Sequence, residues 1–287
     1  MSAGAVRAFL ARHGLAPHRD RGQNFLVDEG LADRLVELAG VARGDTVVEI
    51  GTGLGILTRA LAARGARVVS IEVDAGIVRA LRAEQALPEG VELLHADAVQ
   101  FDLAGLVRAA APPVRVVANL PYSASAPLLR RLLDLRDALC DWSLMLQRDL
   151  VDRLLAPPGT KQYGSLSVLH RLSVTLERKC TLRPGCFHPA PQVASAFVRF
   201  VPLAEPVLRA GELARVERLV RAAFSVRRKT LANALRAAGL PLAHGEALEA
   251  TLQSAGLDTR VRAEQLDPAL FLALTRALGV TPDAAAS

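Results

Sequence analysis

From residue 28 to about 150, short apolar runs rich in β-branched residues alternate with longer stretches of helical periodicity. That alternation predicts βαβ units and a mostly parallel sheet. The predicted strands are 46–50, 67–73, 91–95, 114–119 and 142–147, with helices between them at 56–64 and 74–84. Asp74 is suited to cap the second of these helices. Ahead of the first strand, 28–39 places Leu31, Leu35 and Leu38 on one helical face, a stripe that reads as core packing. Breaks at Pro157, Pro158 and Gly159 and again over 184–191 predict loops between late strands, with a last strand at 196–201. After Pro202 and Pro206 the runs 213–224, 228–238, 246–255 and 268–278 are helical in spacing and show no strand-like alternation. The pattern predicts an α/β domain over 1–205, with helices on both faces of its sheet, and a small C-terminal helical domain over 206–287.

Composition narrows the function classes. A hydrophobic fraction of 51% can fill a sizeable core, yet no stretch approaches the roughly 18 charge-free apolar residues of a membrane span. Arg7 and Arg12 are not followed by an apolar run of signal-peptide type, so a cytoplasmic protein with no membrane partner is expected. Cys140, Cys180 and Cys186 cannot all pair and lack the close spacing of a zinc knuckle, so idle or buried thiols and no metal site are expected. A net charge of +6 fits a polyanionic partner, which is a statement about association and not about fold. Lysines occur only at 161, 179 and 229, an arginine bias that carries no weight for phosphate recognition.

The first predicted strand runs into Glu49-Ile50-Gly51-Thr52-Gly53-Leu54-Gly55. Glycines at a strand-to-helix turn allow a sharp bend and close backbone approach to a ligand. Dinucleotide enzymes use a similar turn, so the loop alone does not name the cofactor. Glu72 ends the next strand roughly 20 residues beyond Glu49, where a ribose-binding carboxylate belongs. Asp97 follows the third strand and is placed to accept from an adenine amine at the same crevice.

Asn119-Leu120-Pro121-Tyr122 ends the fourth strand. An exocyclic adenine amine is a poor nucleophile because its lone pair is delocalised into the ring. The Asn119 side-chain oxygen and the Leu120 carbonyl can accept its two hydrogens and favour a pyramidal nitrogen, while Pro121 fixes the backbone and Tyr122 offers a stacking face.

With these residues in place, the chain resembles the ribosomal RNA adenine dimethyltransferases. The resemblance runs from Gly22-Gln23-Asn24-Phe25-Leu26 to Arg262-Ala263-Glu264, nearly the whole chain. It implies a Rossmann-like methyltransferase sheet and S-adenosylmethionine as cofactor, with contacts at Asn24, Leu26, Gly51, Gly53, Glu72, Asp97 and Asn119. It implies that Asn119 and Leu120 orient the amine. Phe187-His188-Pro189-Ala190-Pro191-Gln192-Val193 looks like the family's proline-braced loop, whose Phe stacks on the target base opposite Tyr122. Thr52, Ser123-Ala124-Ser125 and Gln192 depart from common family residues; only Gln192, in place of a Lys, bears on an RNA contact. Arg227, Arg228 and Lys229 are consecutive and cannot share one helix face, so at least one is expected to meet RNA phosphate.

Within the family two targets compete. The small-subunit enzymes dimethylate two adjacent adenines near the 3′ end of that RNA in a pre-assembled 30S particle; the alternative is a large-subunit methylase of the macrolide-resistance type. Met145-Leu146-Gln147-Arg148, Tyr163-Gly164-Ser165-Leu166-Ser167 and the segment from Phe224 to Thr230, with Asn233 and Leu235, look like the small-subunit group, and a monomer is expected. A non-catalytic RNA-binding factor on the same scaffold is argued against by the intact loop and Asn119. A nicotinamide dehydrogenase finds nothing at Asn119 to Tyr122 that suits hydride transfer.

Overall fold

The computed structural model describes residues 2–17, 22–226, 228–240 and 245–282. The chain forms two compact units, Met1–Val151 with Leu176–Pro202 and Asp152–Thr175 with Leu203–Ser287.

The chain begins α1 (Ala3–Arg12), β1 (Phe25–Leu26), α2 (Glu29–Ala39), β2 (Thr46–Ile50), α3 (Ile56–Ala63), β3 (Arg67–Glu72), α4 (Ala75–Ala83) and β4 (Glu92–His95). It continues α5 (Leu103–Ala109), β5 (Val114–Asn119), α6 (Ser125–Asp134), β6 (Asp141–Gln147), α7 (Arg148–Leu155), α8 (Ser165–Arg171), β7 (Val174–Leu182), β8 (Phe187–His188) and β9 (Ser195–Pro202). The helices α9 (Glu212–Phe224), α10 (Leu231–Ala237), α11 (Gly245–Ser254) and α12 (Pro268–Ala277) follow.

A seven-stranded sheet runs in the order β4-β3-β2-β5-β6-β9-β7, and β1 and β8 form a separate two-stranded ribbon. All of β2 is buried, so it needs apolar cover on both faces, as parallel strands between helix layers do. β2 pairs in parallel with both β3 and β5, with Ile50 opposite Ile71 and Ala118. The three strands therefore end at one level and deliver Gly51, Glu72 and Asn119 to the same edge. β9 runs antiparallel to β6 and places Phe200 beside Trp142, their rings stacked at 5.7 Å.

Where expected elements are present they differ from the observed ones at their ends, because capping residues stop short of helical geometry, whereas α6 and β7 have no expected counterpart. Asp28 caps α2 by accepting the Leu31 N–H at 3.1 Å, and Asp74 caps α4 by accepting Gly76 and Ile77 at 2.8 and 3.2 Å. The buried face of α2 centres on Ala32, Leu35, Val36 and Ala39, with Leu31 and Leu38 at its partly buried margin. The helix expected at 228–238 begins at Leu231, because Thr230 is extended and its hydroxyl accepts the Asn233 N–H.

The break between units falls after Pro202, and residues 152–175, expected in the catalytic domain, group with the C-terminal helices. Their anchors are visible: Gly159 N–H donates to the Glu264 carbonyl at 2.7 Å, and the Tyr163 hydroxyl donates to the Leu266 carbonyl at 2.8 Å. Tyr163 also meets the Phe224 ring edge-on at 5.9 Å. Among the described residues, no helix is long and apolar enough to cross a membrane.

Candidate functional site

The carboxyl ends of β2, β3, β4 and β5 border a cleft of about 840 Å³, counting the part open to solvent, whose lining lies wholly within the first unit. Gly51 has a φ of +85° and donates its N–H to the Ile71 carbonyl at 2.8 Å. A Cβ there would sit 3.3 Å from the Asn119 carbonyl oxygen, and one on Gly53 would sit 3.2 Å from the Phe25 ring. Side chains at these two positions would be strained and would crowd the loop against the cleft wall.

Glu72 is 4% exposed. Its carboxylate accepts N–H groups from Gly53 and Asp74, both at 2.9 Å. Burial pushes the carboxyl above its ordinary range, and the backbone donors from Asp74 and Gly53 oppose that rise. Each oxygen keeps a further lone pair for a hydroxyl group. Asp97 is exposed at the cleft; its Oδ1 accepts the Val99 N–H at 2.9 Å.

Asn119 donates from Nδ2 to the Asn24 carbonyl at 2.9 Å, and Asn24 donates from its own Nδ2 to the Gly22 carbonyl at 2.9 Å. The first bond fixes which end of the Asn119 amide is nitrogen and leaves its oxygen as an acceptor. Leu120 buries its side chain, at 2% exposure. The Pro121 carbonyl accepts Ala124 N–H at 3.0 Å and the Ser125 hydroxyl at 3.3 Å, which braces the turn. The Tyr122 hydroxyl is 3.0 Å from Ser195 Oγ. Phe187, 4% exposed, lies opposite Leu26 in the ribbon.

Beneath the loop, Glu49 is completely buried. Its Oε2 accepts the Thr58 and Ser70 hydroxyls, both at 2.6 Å, and Thr52 Oγ1 lies 2.6 Å from Ser70 Oγ. Burial pushes its carboxyl up to about 7 despite those two donors.

Of the residues predicted from sequence, Asn24, Gly51, Gly53, Glu72, Asp97, Asn119, Leu120, Tyr122 and Phe187 all line the cleft. Leu26 does not; its side chain joins the core of α2, α3 and Phe197. Arg228 and Lys229 are exposed and belong to the second unit; neither is among the residues lining the cleft. Arg227 lies outside the described residues. Sequence reading missed Phe25, Ile71, Val73, Val99 and Leu128. Val73 had a signal, being an apolar residue directly after a strand-end acid, and it stays 44% exposed.

The family model described as ribosomal RNA adenine dimethylase matches residues 15–278. The chain belongs to this family. Ribosomal RNA small subunit methyltransferase A of Geobacter metallireducens is 42% identical over 266 residues, covering 92% of this chain and 96% of the relative. The protein of the same name from Anaeromyxobacter sp. is 43% identical over 283 residues, covering 95% and 97%. A dimethyladenosine transferase structure from Plasmodium falciparum shares the fold with a TM-score of 0.71 at 23% identity, covering 89% of this chain and 98% of that one. The structure of the 23S rRNA methyltransferase ErmE superposes with a TM-score of 0.65 at 26% identity, covering 89% and 100%.

As a member of this family the protein is a methyltransferase, and its methyl donor is S-adenosylmethionine. The cleft fits that donor. Glu72 is a buried carboxylate with spare acceptor capacity of the kind that ribose hydroxyls take, Asp97 is a second acceptor at the cleft, and Ile71, Val73 and Val99 add apolar lining.

Proposed function

We propose that the protein dimethylates the exocyclic amines of two adjacent adenines near the 3′ end of small-subunit (16S) ribosomal RNA. It acts as a monomer in the cytoplasm, on a pre-assembled 30S particle. The names of the relatives at 42–43% identity support the small-subunit target over the 23S RNA named for ErmE, to which the chain is 26% identical.

The observation that carries the chemistry is the bond from Asn119 Nδ2 to the Asn24 carbonyl. Held that way, Asn119 Oδ1 accepts one hydrogen of the target amine and the Leu120 carbonyl accepts the other. Two acceptors outside the base plane turn the nitrogen lone pair out of conjugation. Tyr122 and Phe187 hold the flipped base by stacking, worth about 1–3 kcal/mol per aromatic face. S-adenosylmethionine, when bound by Asn24, Gly51, Gly53, Glu72 and Asp97, supplies the electrophilic methyl carbon. A monomethylated amine keeps one N–H for either acceptor, so the same pair serves a second transfer. The proton leaves to solvent afterwards, and no strong base is required of the chain.

Arg227, Arg228 and Lys229 contact RNA phosphate in this reading. Neutralising all three flattens the salt dependence of RNA binding, by about 0.9 or less in slope for each phosphate that loses its cation, without changing cofactor affinity. The deciding assay offers under-methylated small subunits and protein-free 23S RNA to the wild type and maps the products. Dimethylation of two neighbouring 16S adenines is expected; methylation of 23S RNA alone overturns the assignment.

A further inference from the structure

The loop following Asp97 is held from behind by one side chain. Arg131, on α6, donates from Nη1 to the carbonyls of Ala98 at 2.8 Å and Val99 at 2.5 Å. From Nη2 it donates to the carbonyl of Phe101 at 2.7 Å. Ala98 and Val99 themselves line the cleft beside Asp97. Backbone carbonyls that converge on a cation form a concave acceptor surface, and a planar fork with donors on separate nitrogens reaches three spread carbonyls better than the point-like ammonium of a lysine.

The other end of α6 belongs to the catalytic turn. Ser125 opens the helix and bonds back to the Pro121 carbonyl, and Leu128, one turn on, is 1% exposed and lines the cleft. A single helix thus carries the Asn119–Tyr122 side of the site at its start and the clamp on the Asp97 loop about two turns later. At the start of the loop the Ala96 N–H donates to the Glu72 carbonyl at 3.0 Å, and the amides of Val99, Gln100 and Phe101 all fold back onto Asp97. These bonds shape the turn and tie its start to β3, while those from Arg131 tie it to α6.

We propose that Arg131 is a positioning residue for cofactor recognition, its guanidinium fixing the 97–101 loop, and with it the Asp97 carboxylate, at a set distance from the Asn119–Tyr122 turn. The inference rests on Asp97 being the acceptor for the adenine amine of S-adenosylmethionine. Ordering the loop in advance removes an entropic penalty from binding. Its loss therefore falls on cofactor affinity first and on turnover second.

The test is a double-mutant cycle read by calorimetry with S-adenosylmethionine and no RNA, alongside steady-state kinetics on under-methylated small subunits. R131M weakens cofactor affinity by about 10-fold and raises the cofactor KM in parallel, because charge-assisted bonds are lost. Its kcat falls by less than about three-fold, since Asn119 and Tyr122 are untouched. D97A weakens affinity similarly, and the double variant is no weaker than the worse single, because both act through one carboxylate. R131K keeps the charge, reaches fewer carbonyls and falls between; it replaces R131M in the cycle if R131M shows no cooperative melting transition. Additive losses, unchanged affinity in either single variant, or a fall in kcat at constant cofactor KM overturns the proposal. Failure of the RNA assignment shows separately, as absent methyl transfer with the binding cycle intact.

Discussion

The two ends of the parallel strands treat polar groups in opposite ways. At the amino ends, Arg115 of β5 bonds Asp45 at 2.7 Å and also Asp141 of β6, which in turn takes Arg199 of β9. Asp141 is 1% exposed, and its charge is spent on two guanidinium groups. At the carboxyl ends, Glu72, Asp97 and Asn119 each hold a bond that orients them and keep an acceptor facing the cleft. The saturated end fixes strand register; the half-satisfied end is where binding and chemistry find partners. Substitutions at the first end should therefore appear in stability, and at the second in affinity or rate.

The largest expected effect is at the saturated end. D141A takes the carboxylate from Arg199, leaves Arg115 with Asp45 alone, and lowers unfolding free energy by about 3–5 kcal/mol, measured by urea denaturation, while the protein that remains folded binds S-adenosylmethionine within a few-fold of wild type. A large loss of cofactor affinity in the folded fraction would erase the contrast. Next is N119A, which cuts methyl transfer by about 10²–10³-fold, as removal of one preorganised polar group at a reacting centre does. Cofactor affinity stays within a few-fold, and near-normal turnover refutes the role. E72A then weakens cofactor binding by about 1–3 kcal/mol through a lost charge-assisted bond, with calorimetry of a folded variant as the check.

A pH-dependent effect of similar size lies at Glu49, beneath the loop. Its carboxyl rises from 4.5 to about 7 in the folded protein, so the native state binds the proton more tightly than the unfolded chain does. Stability is therefore full below about pH 4.5 and declines as pH rises to about 7, by up to about 3 kcal/mol on the linkage relation. E49Q has no such proton to lose. Denaturation curves at pH 5 and pH 7.5 should show the wild type losing stability relative to E49Q, and parallel behaviour would mean that Glu49 stays ionised throughout.

How much of this was legible in the chain depends on what each segment is buried against. β2 and β5 were read to the residue because each is a short run rich in β-branched residues, Thr46, Val47, Val48 and Ile50 in one and Val114, Val116 and Val117 in the other, set off from the helical periodicity around it. β7 was missed because Glu177, Arg178 and Lys179 break its pattern; it is an outer strand of the sheet, where charges are tolerated and useful. α6 was missed because Pro127 looks like a breaker, yet it sits in the first turn, where no intrahelical N–H is needed. In the site, residues that follow strand ends were legible from position alone. The Asn24–Asn119 bond was not, since it joins residues 95 apart in sequence, and neither was Arg131, whose partners are backbone carbonyls common to every residue. Leu26 carries its burial and not its role in the sequence: the ribbon turns its side chain into the core.

That ribbon also sets how the cleft can open. Phe25 and Phe187 belong to stretches far apart in the chain, yet Leu26 pairs with Phe187 and the Val27 amide reaches the Cys186 carbonyl at 3.1 Å. The lip that carries Asn24 and Phe25 and the lip that carries Phe187 are thus bonded into one unit. Hydrogen exchange should find a single opening rate for the amides on both, and anything that seals one lip should slow exchange at the other by the same factor.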